Sequence, residues 1–169
     1  METYSSSRKL SGERRSVMRL TLYKYHGQNK DYLVYDTIQN HKKLNESMIR
    51  MLCDRNRGLG SDGLITGPFL EDDTIGVQVY GPDGSEKNED SKAFPVFAKY
   101  LKDNLYVTRE RFHLQTPEGA VTIHYDNEDA TDITVTTKDA AGTVSSSSSR
   151  ATAIGTVILS PEYLESLGA

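Results

Sequence analysis

The sequence predicts an α+β domain in which a curled, mostly antiparallel sheet wraps around a central helix. Three observations carry that prediction. Short β-branched and aromatic runs alternate with turn signals along most of the chain. A strongly apolar helical stretch, with Phe94, Phe97, Ala98 and Leu101 on one face, interrupts them near the middle. Finally, 169 residues with 36% hydrophobic content suffice for one ordinary core but not for two.

Taken in order, residues 1–17 are rich in Ser and Arg and poor in apolar positions, which describes a flexible N-terminal extension. Arg8, Arg14 and Arg15 there lack the amphipathic helix of an organellar targeting segment. Folding is expected to start at Met18. Leu20 and Leu22 alternate with Thr21 and Tyr23 in a first strand, and Tyr32 to Tyr35 make a second. Between them Gly27 permits a tight turn. Asn45 reads as the N-cap of a helix bearing Met48, Ile49 and Leu52, broken at Gly58. Cys53 lies along that stripe and is read as a small buried hydrophobe. Arg57-Gly58-Leu59-Gly60-Ser61-Asp62-Gly63 invites a phosphate-loop reading, but it lacks the third Gly, a Lys-Ser/Thr ending and a strand immediately before it. A backbone turn feeding a strand at Leu64 to Thr66 is the better reading.

Ile75, Val77 and Val79 form the next strand and enter a Pro82-Asp83-Gly84 turn, from which the central helix departs. Phe112 and Leu114 then pair across a Pro117-Glu118-Gly119 turn with Val121, Ile123 and Tyr125, and Ile133 and Val135 follow the turn at Asp126 to Ala130. Residues 138–150 include five consecutive serines, Ser145 to Ser149, and read as a flexible linker. The closing segment, 151–169, holds a strand at Ile154 to Leu159. Ser160-Pro161-Glu162 opens a short helix that exits at Gly168. The expected organisation is therefore an extension (1–17), a lobe (18–137), a linker (138–150) and a returning strand and helix that complete the lobe (151–169).

Twenty basic against 24 acidic side chains give a net charge of -4, which supplies no footprint for nucleic acid and no polybasic membrane anchor. No apolar run approaches the roughly 20 residues that span a bilayer, and the N-terminus lacks the apolar core of a secretory signal. A cytoplasmic protein is expected. The lone Cys53 excludes an internal disulfide and a cysteine-based zinc site. His26, His41, His113 and His124 show no paired metal spacing, so neither metal nor cofactor is expected. His113 and His124 are read as structural cross-strand neighbours.

The segment Gly81 to Tyr100 resembles the first catalytic segment of the diaminopimelate epimerases, cofactor-independent enzymes that invert an α-carbon with two cysteines. In that family the turn reads Asn-x-Asp-Gly-Ser-Glu and is followed by Cys-Gly-Asn-Gly, an Arg and Phe-Ala-Lys-Tyr. Here Pro82-Asp83-Gly84-Ser85-Glu86 and Phe97-Ala98-Lys99-Tyr100 match. The polar residues differ: aligned without gaps, the Asn is Gly81, the cysteine Asp90, the Gly-Asn-Gly Ser91-Lys92-Ala93 and the Arg Pro95. A second resemblance lies at His26 to Tyr32, where Lys30 takes the place of a substrate-contacting Asn and Asn29 that of a Gly. A third lies at Arg57 to Leu64. The resemblance implies an epimerase-like lobe over 18–137 with a fainter echo at 152–164, as if a second lobe had been deleted, by nature or by design.

Inversion needs a base and an acid on opposite faces, together with donors for the α-carboxylate. The resemblance implies that Lys30, Gly81, Asp90, Ser91 and Lys92 are vestigial ligand-binding positions, with Asp90 a weak candidate for a catalytic base. Pro95 is expected to move the helix start toward Phe94 and displace its anion-binding amides, unless Ser91 caps the helix and preserves part of that cradle. Lys30 and Lys92 could attract an anion together if the fold brings them close. Three readings follow. The first is a catalytically silent single lobe. The second is a module binding itself or another protein through the face left by a missing lobe. The third is an altered enzyme using Asp90 with Lys30 or Lys92 on a small amino-acid or anionic substrate.

Overall fold

The alternating runs become eight strands in a computed structural model of the chain, which describes residues 19–166 apart from Glu89. They are β1 (Leu20–Gly27), β2 (Lys30–Asp36), β3 (Gly63–Glu71), β4 (Thr74–Tyr80), β5 (Arg111–Thr116), β6 (Gly119–Tyr125), β7 (Asp132–Lys138) and β8 (Val144–Leu159). Among the described residues three helices accompany them: α1 (Glu46–Cys53), α2 (Ala93–Asp103) and α3 (Pro161–Ser166). The strands neighbour one another in chain order and β8 returns to β1, so the expected curled sheet closes into a barrel. Only β2 with β3 and β4 with β5 pair in parallel. Each parallel pair needs a crossover, and α1 and α2 supply them.

The two crossovers take opposite routes. Helix α2 threads the barrel interior, where Ala93 through Leu101 are all buried. Tyr25, Tyr32, Val34, Ile65, Val77, Phe112, Ile123 and Ile133 surround it. Helix α1 lies outside. There Ile49, Leu52 and Cys53 cover the opposite faces of the same strands, at Leu20, Leu22, Leu33 and Leu64. Strand alternation thus feeds two cores, one within the barrel and one beneath α1 and α3. The capping signals act as read. Asn45 Oδ1 accepts from the Met48 N–H at 2.8 Å, and Ser160 Oγ accepts from the Tyr163 N–H at 3.1 Å with Pro161 at the first helical position.

Several expectations need correction. The serine run is not a flexible linker, because Val144 to Arg150 pair with β7 in continuous antiparallel register. Its hydroxyls join that ladder: Ser148 Oγ lies 2.8 Å from Thr134 Oγ1 and Ser146 Oγ lies 2.9 Å from Thr136 Oγ1. A low-hydrophobicity strand persists because its neighbours supply the backbone partners. The hairpin at His26 to Asp31 turns on Gln28 and Asn29, both at positive φ, rather than on Gly27. Gly27 serves a close approach instead, since a Cβ there would stand 2.8 Å from Val96 Cγ2 of the enclosed helix. His113 and His124 sit diagonally, opposite Thr122 and Arg111. The expected extension at 1–17 and the helix exit at Gly168 lie outside the described residues.

Candidate functional site

The turn that leads into α2 is fixed by backbone requirements. The Gly84 N–H donates to the Gly81 carbonyl at 3.0 Å, and the Gly81 N–H donates to the Ser85 carbonyl at 2.8 Å. Gly84 has φ +90°, and a Cβ there would meet the Glu46 carbonyl oxygen at 2.5 Å, so no other residue fits without strain. The Ser85 hydroxyl and N–H donate to Asp83 Oδ1 at 2.7 and 3.0 Å. These bonds hold the Asp83 carboxyl below the usual carboxylate range.

Beyond this turn lies an open cleft of about 600 Å³. Lys30 from the β1–β2 hairpin, Gly81 and Asp90 all line it, so three of the five sequence-predicted positions converge. Ser91 lines the neighbouring cleft, of about 480 Å³, with Phe94, Thr116 and Lys138. Lys92 is exposed and lines neither cleft, so the lysine pair Lys30 and Lys92 does not form there.

Asp90 is half-buried, and the Tyr32 hydroxyl donates to both of its oxygens, at 3.2 and 3.1 Å. Burial, then the adjacent Asp90 charge, push the Tyr32 phenol far above its ordinary range. The Asp90 carbonyl accepts from the Ala93 N–H at 3.2 Å, which ties the segment to the helix start. Helix α2 begins at Ala93, not Phe94, and Lys92 at its cap makes no side-chain capping bond. Ser91 is therefore not the cap. Pro95 falls at the third helical position, where an N–H has no intrahelical partner in any case, so it removes one donor without displacing the helix by a turn.

Sequence reasoning missed the rest of the cleft wall. Asp62, Glu86 and Glu118 bring three further carboxylates, joined by Lys87 and Asn88. Asp62 is already engaged: its Oδ2 accepts from the Asp31 N–H at 2.8 Å, and its Oδ1 lies 3.2 Å from Arg55. Glu118 arrives from the β5–β6 turn, and no local signal marks a turn residue as facing a cleft formed by segments at 30, 62 and 86. Tyr32 reads locally as one more apolar strand residue.

The other well-matched segment, Phe97-Ala98-Lys99-Tyr100, has no access to either cleft and works as scaffold. Phe97 is fully buried in the barrel core. The Ala98 carbonyl accepts from the Tyr125 hydroxyl at 2.7 Å. Lys99 Nζ donates to Asp103 Oδ1 at 2.8 Å and to the Asp129 carbonyl at 2.9 Å. The Tyr100 hydroxyl donates to Asp36 of β2, a fully buried carboxylate that also accepts from Tyr106 at 2.8 Å.

The glycine-rich run after α1 is likewise accounted for. The Leu59 and Gly60 amides donate to the Leu52 carbonyl at 2.8 and 3.2 Å, and the Ser61 amide donates to that of Cys53 at 3.0 Å. Those amides close the helix end and are not free to bind phosphate. Cys53 is buried, and burial raises its thiol pKa. Among the described residues no group of three or more His, Cys, Asp or Glu could hold a metal ion, and no helix is long and apolar enough to cross a membrane.

Comparison with known proteins bears on this arrangement. The solved structures that resemble it include a hydroxyproline epimerase from Agrobacterium vitis, with a TM-score of 0.56 and 13% identity over 71% of this chain and 42% of that one. A PhzF-family phenazine biosynthesis protein from Bacillus anthracis has a TM-score of 0.55 and 14% identity, over 71% of this chain and 41% of that one. At these identities the likeness is one of fold. Sequence relatives include diaminopimelate epimerase 2 of Nostoc sp., 33% identical over 103 residues, covering 60% of this chain and 36% of that protein. The diaminopimelate epimerase of Oceanobacillus iheyensis is 29% identical over 122 residues, covering 70% of this chain and 43% of that protein. The chain thus spans about two fifths of the length of the relatives it matches. Residues 22–142, which take in the barrel from β1 to β7, the enclosed helix and the cleft, match the family model for diaminopimelate epimerase, and the chain belongs to the diaminopimelate epimerase family.

Proposed function

We propose that this chain is a single epimerase-type lobe that does not itself move the α-proton. The observation that carries this reading is Asp90. It stands where the resemblance places the family's first cysteine, and its two oxygens are taken up by the Tyr32 hydroxyl at 3.2 and 3.1 Å. The single Tyr32 proton is shared between both oxygens and fixes the carboxylate against the cleft wall, and among the described residues no other side chain bonds it to relay a proton. The cleft is also of the wrong sign for an α-carboxylate, with Asp62, Glu86, Asp90 and Glu118 facing only Lys30 and Lys87. Pro95 withdraws one further donor at the helix start.

The lobe is read as a cytoplasmic relative of an enzyme of lysine and peptidoglycan precursor synthesis, with its stereochemical activity lost. The test is incubation of the full chain with diaminopimelate in deuterated buffer, followed by mass spectrometry. No uptake of deuterium at the α-carbon is expected. Uptake that disappears in an Asp90→Asn variant would establish instead the third reading, an altered enzyme built on Asp90.

A further inference from the structure

Strand β8 is longer than either neighbour, and its two halves have different partners. Ala151 to Leu159 pair with β1, whereas Val144 to Arg150 pair with β7 alone. Among the described residues no strand lies on the other side of that seven-residue half. The direction of its backbone groups follows from one bond: the Ala151 N–H donates to the Thr131 carbonyl at 2.8 Å, on the β7 side. Alternation along a strand then turns the N–H and C=O of Ser145, Ser147 and Ser149 toward β7, and those of Ser146 and Ser148 toward the open edge. Edges of this kind are ordinarily blunted by charge, proline or a bulge. Here five consecutive serines present none of these, and Val144 beside them is 60% exposed.

We propose that the Val144 to Arg150 edge pairs antiparallel with the same edge of a second copy of this chain, joining two barrels through a continuous sheet. A second copy is the occupant because the segment is self-complementary. Pairing all seven residues about a two-fold axis places Ser147 on the axis and sets Ser146 of one copy against Ser148 of the other. The two pairs exchange about four backbone hydrogen bonds. Serines opposite serines leave no steric mismatch at any of the five central positions. Arg150 of each copy falls opposite Val144 of the other, so like charges do not meet. The edge lies beside the first turns of the central helix, since Gly27, next to Val96, lies against the Arg150 carbonyl. Self-pairing would therefore bring the barrel mouths of two copies near each other. One strand pair makes a small interface, so the association is of micromolar strength rather than tighter.

The test is sedimentation equilibrium of the full chain. At concentrations on the order of 100 µM, a mass approaching twice 18.9 kDa is expected. Ser148→Pro removes an outward N–H and leaves the β7 ladder, which uses Ser147 and Ser149, intact. It should return the mass to that of one chain with an unchanged circular dichroism spectrum. Ser147→Cys tests the register and does not depend on the proline variant folding. Residues meeting on the axis as a non-hydrogen-bonded pair have Cα atoms about 4.5 Å apart, within disulfide range, and Cys53 is too buried to compete. Mild oxidation should convert the variant to a covalent dimer. A wild-type chain that stays monomeric, a dimer indifferent to Ser148→Pro, or a Ser147→Cys variant that does not cross-link would each overturn the proposal. The deuterium-exchange outcome has no bearing on it, because this inference stands on strand geometry alone.

Discussion

Alkali is the perturbation to which this fold is most exposed, because its core is fastened by phenols. Tyr25, Tyr32, Tyr35, Tyr100 and Tyr125 are each no more than 4% accessible. Burial pushes the Tyr35 hydroxyl up to about 12. Burial followed by a neighbouring carboxylate raises Tyr25 and Tyr125 (Asp103), Tyr32 (Asp90) and Tyr100 (Asp36) further still. A phenol whose folded pKa lies above its unfolded value of about 10 contributes stability that is complete below pH 10 and is lost as the pH rises beyond it. Near pH 11 the folded chain keeps five protons that the unfolded chain has mostly released, so stability falls by about 6 kcal/mol per pH unit. Against a typical domain stability of about 5–15 kcal/mol, the barrel should unfold cooperatively roughly one to two units above pH 10. Phenolate absorbance and far-ultraviolet circular dichroism, followed in one titration, check this. The five buried phenols should ionise only as the dichroism collapses. Their ionisation within a native spectrum would refute the reasoning.

Three further outcomes can be read from stability measurements. Asp36→Ala strands the Tyr100 and Tyr106 hydroxyls and the Ile38 and Gln39 amides, at an expected cost of about 3–5 kcal/mol in urea unfolding, with Asp36→Asn milder. Gly27→Ala forces a methyl to within 2.8 Å of Val96 Cγ2 and 3.2 Å of the Arg150 carbonyl. A loss of about 1–3 kcal/mol is expected, partly recovered when Val96→Ala is combined with it, and a double-mutant cycle showing no coupling would count against the contact. Ser149→Ala should be neutral or stabilising by up to about 1–2 kcal/mol, because the Ser149 hydroxyl is buried with no hydrogen-bond partner. A clear fall in melting temperature would contradict that.

What the sequence disclosed and what it hid follow from the range of the interactions involved. Asn45, Ser160 and the Pro82 turn were legible because capping and turn chemistry are decided within four residues. The helix at Phe94 was legible as apolar on one face, but not as enclosed. Lys99 and Tyr100 entered only through the resemblance, and it is the barrel that sets Asp103, the Asp129 carbonyl and Asp36 to receive them. The serine run misled for the same reason. Its composition argues for a linker, while its order comes from β7, which no local pattern announces. The cleft was legible at Lys30, Gly81 and Asp90 through resemblance alone. Asp62 and Glu118 reach it from distant segments, and only the closed sheet sets them beside Asp90.

The residues of the well-matched segments and those of the cleft differ in how many constraints each satisfies. Gly84 must combine a positive φ with contact against the Glu46 backbone. Tyr100 must fill the core and also donate to a buried carboxylate. Changing either disturbs packing and polar satisfaction together. Asp90, by contrast, has one side-chain partner, the Tyr32 hydroxyl, and Lys30 and Lys92 have none among the hydrogen bonds of the described residues. The enclosed helix is held by tyrosines and Lys99 along its length, well away from the cleft at its first turn. The side chains at the mouth of this barrel are therefore less constrained by the fold than those of the enclosed helix, with the Tyr32 hydroxyl the one buried donor that depends on Asp90.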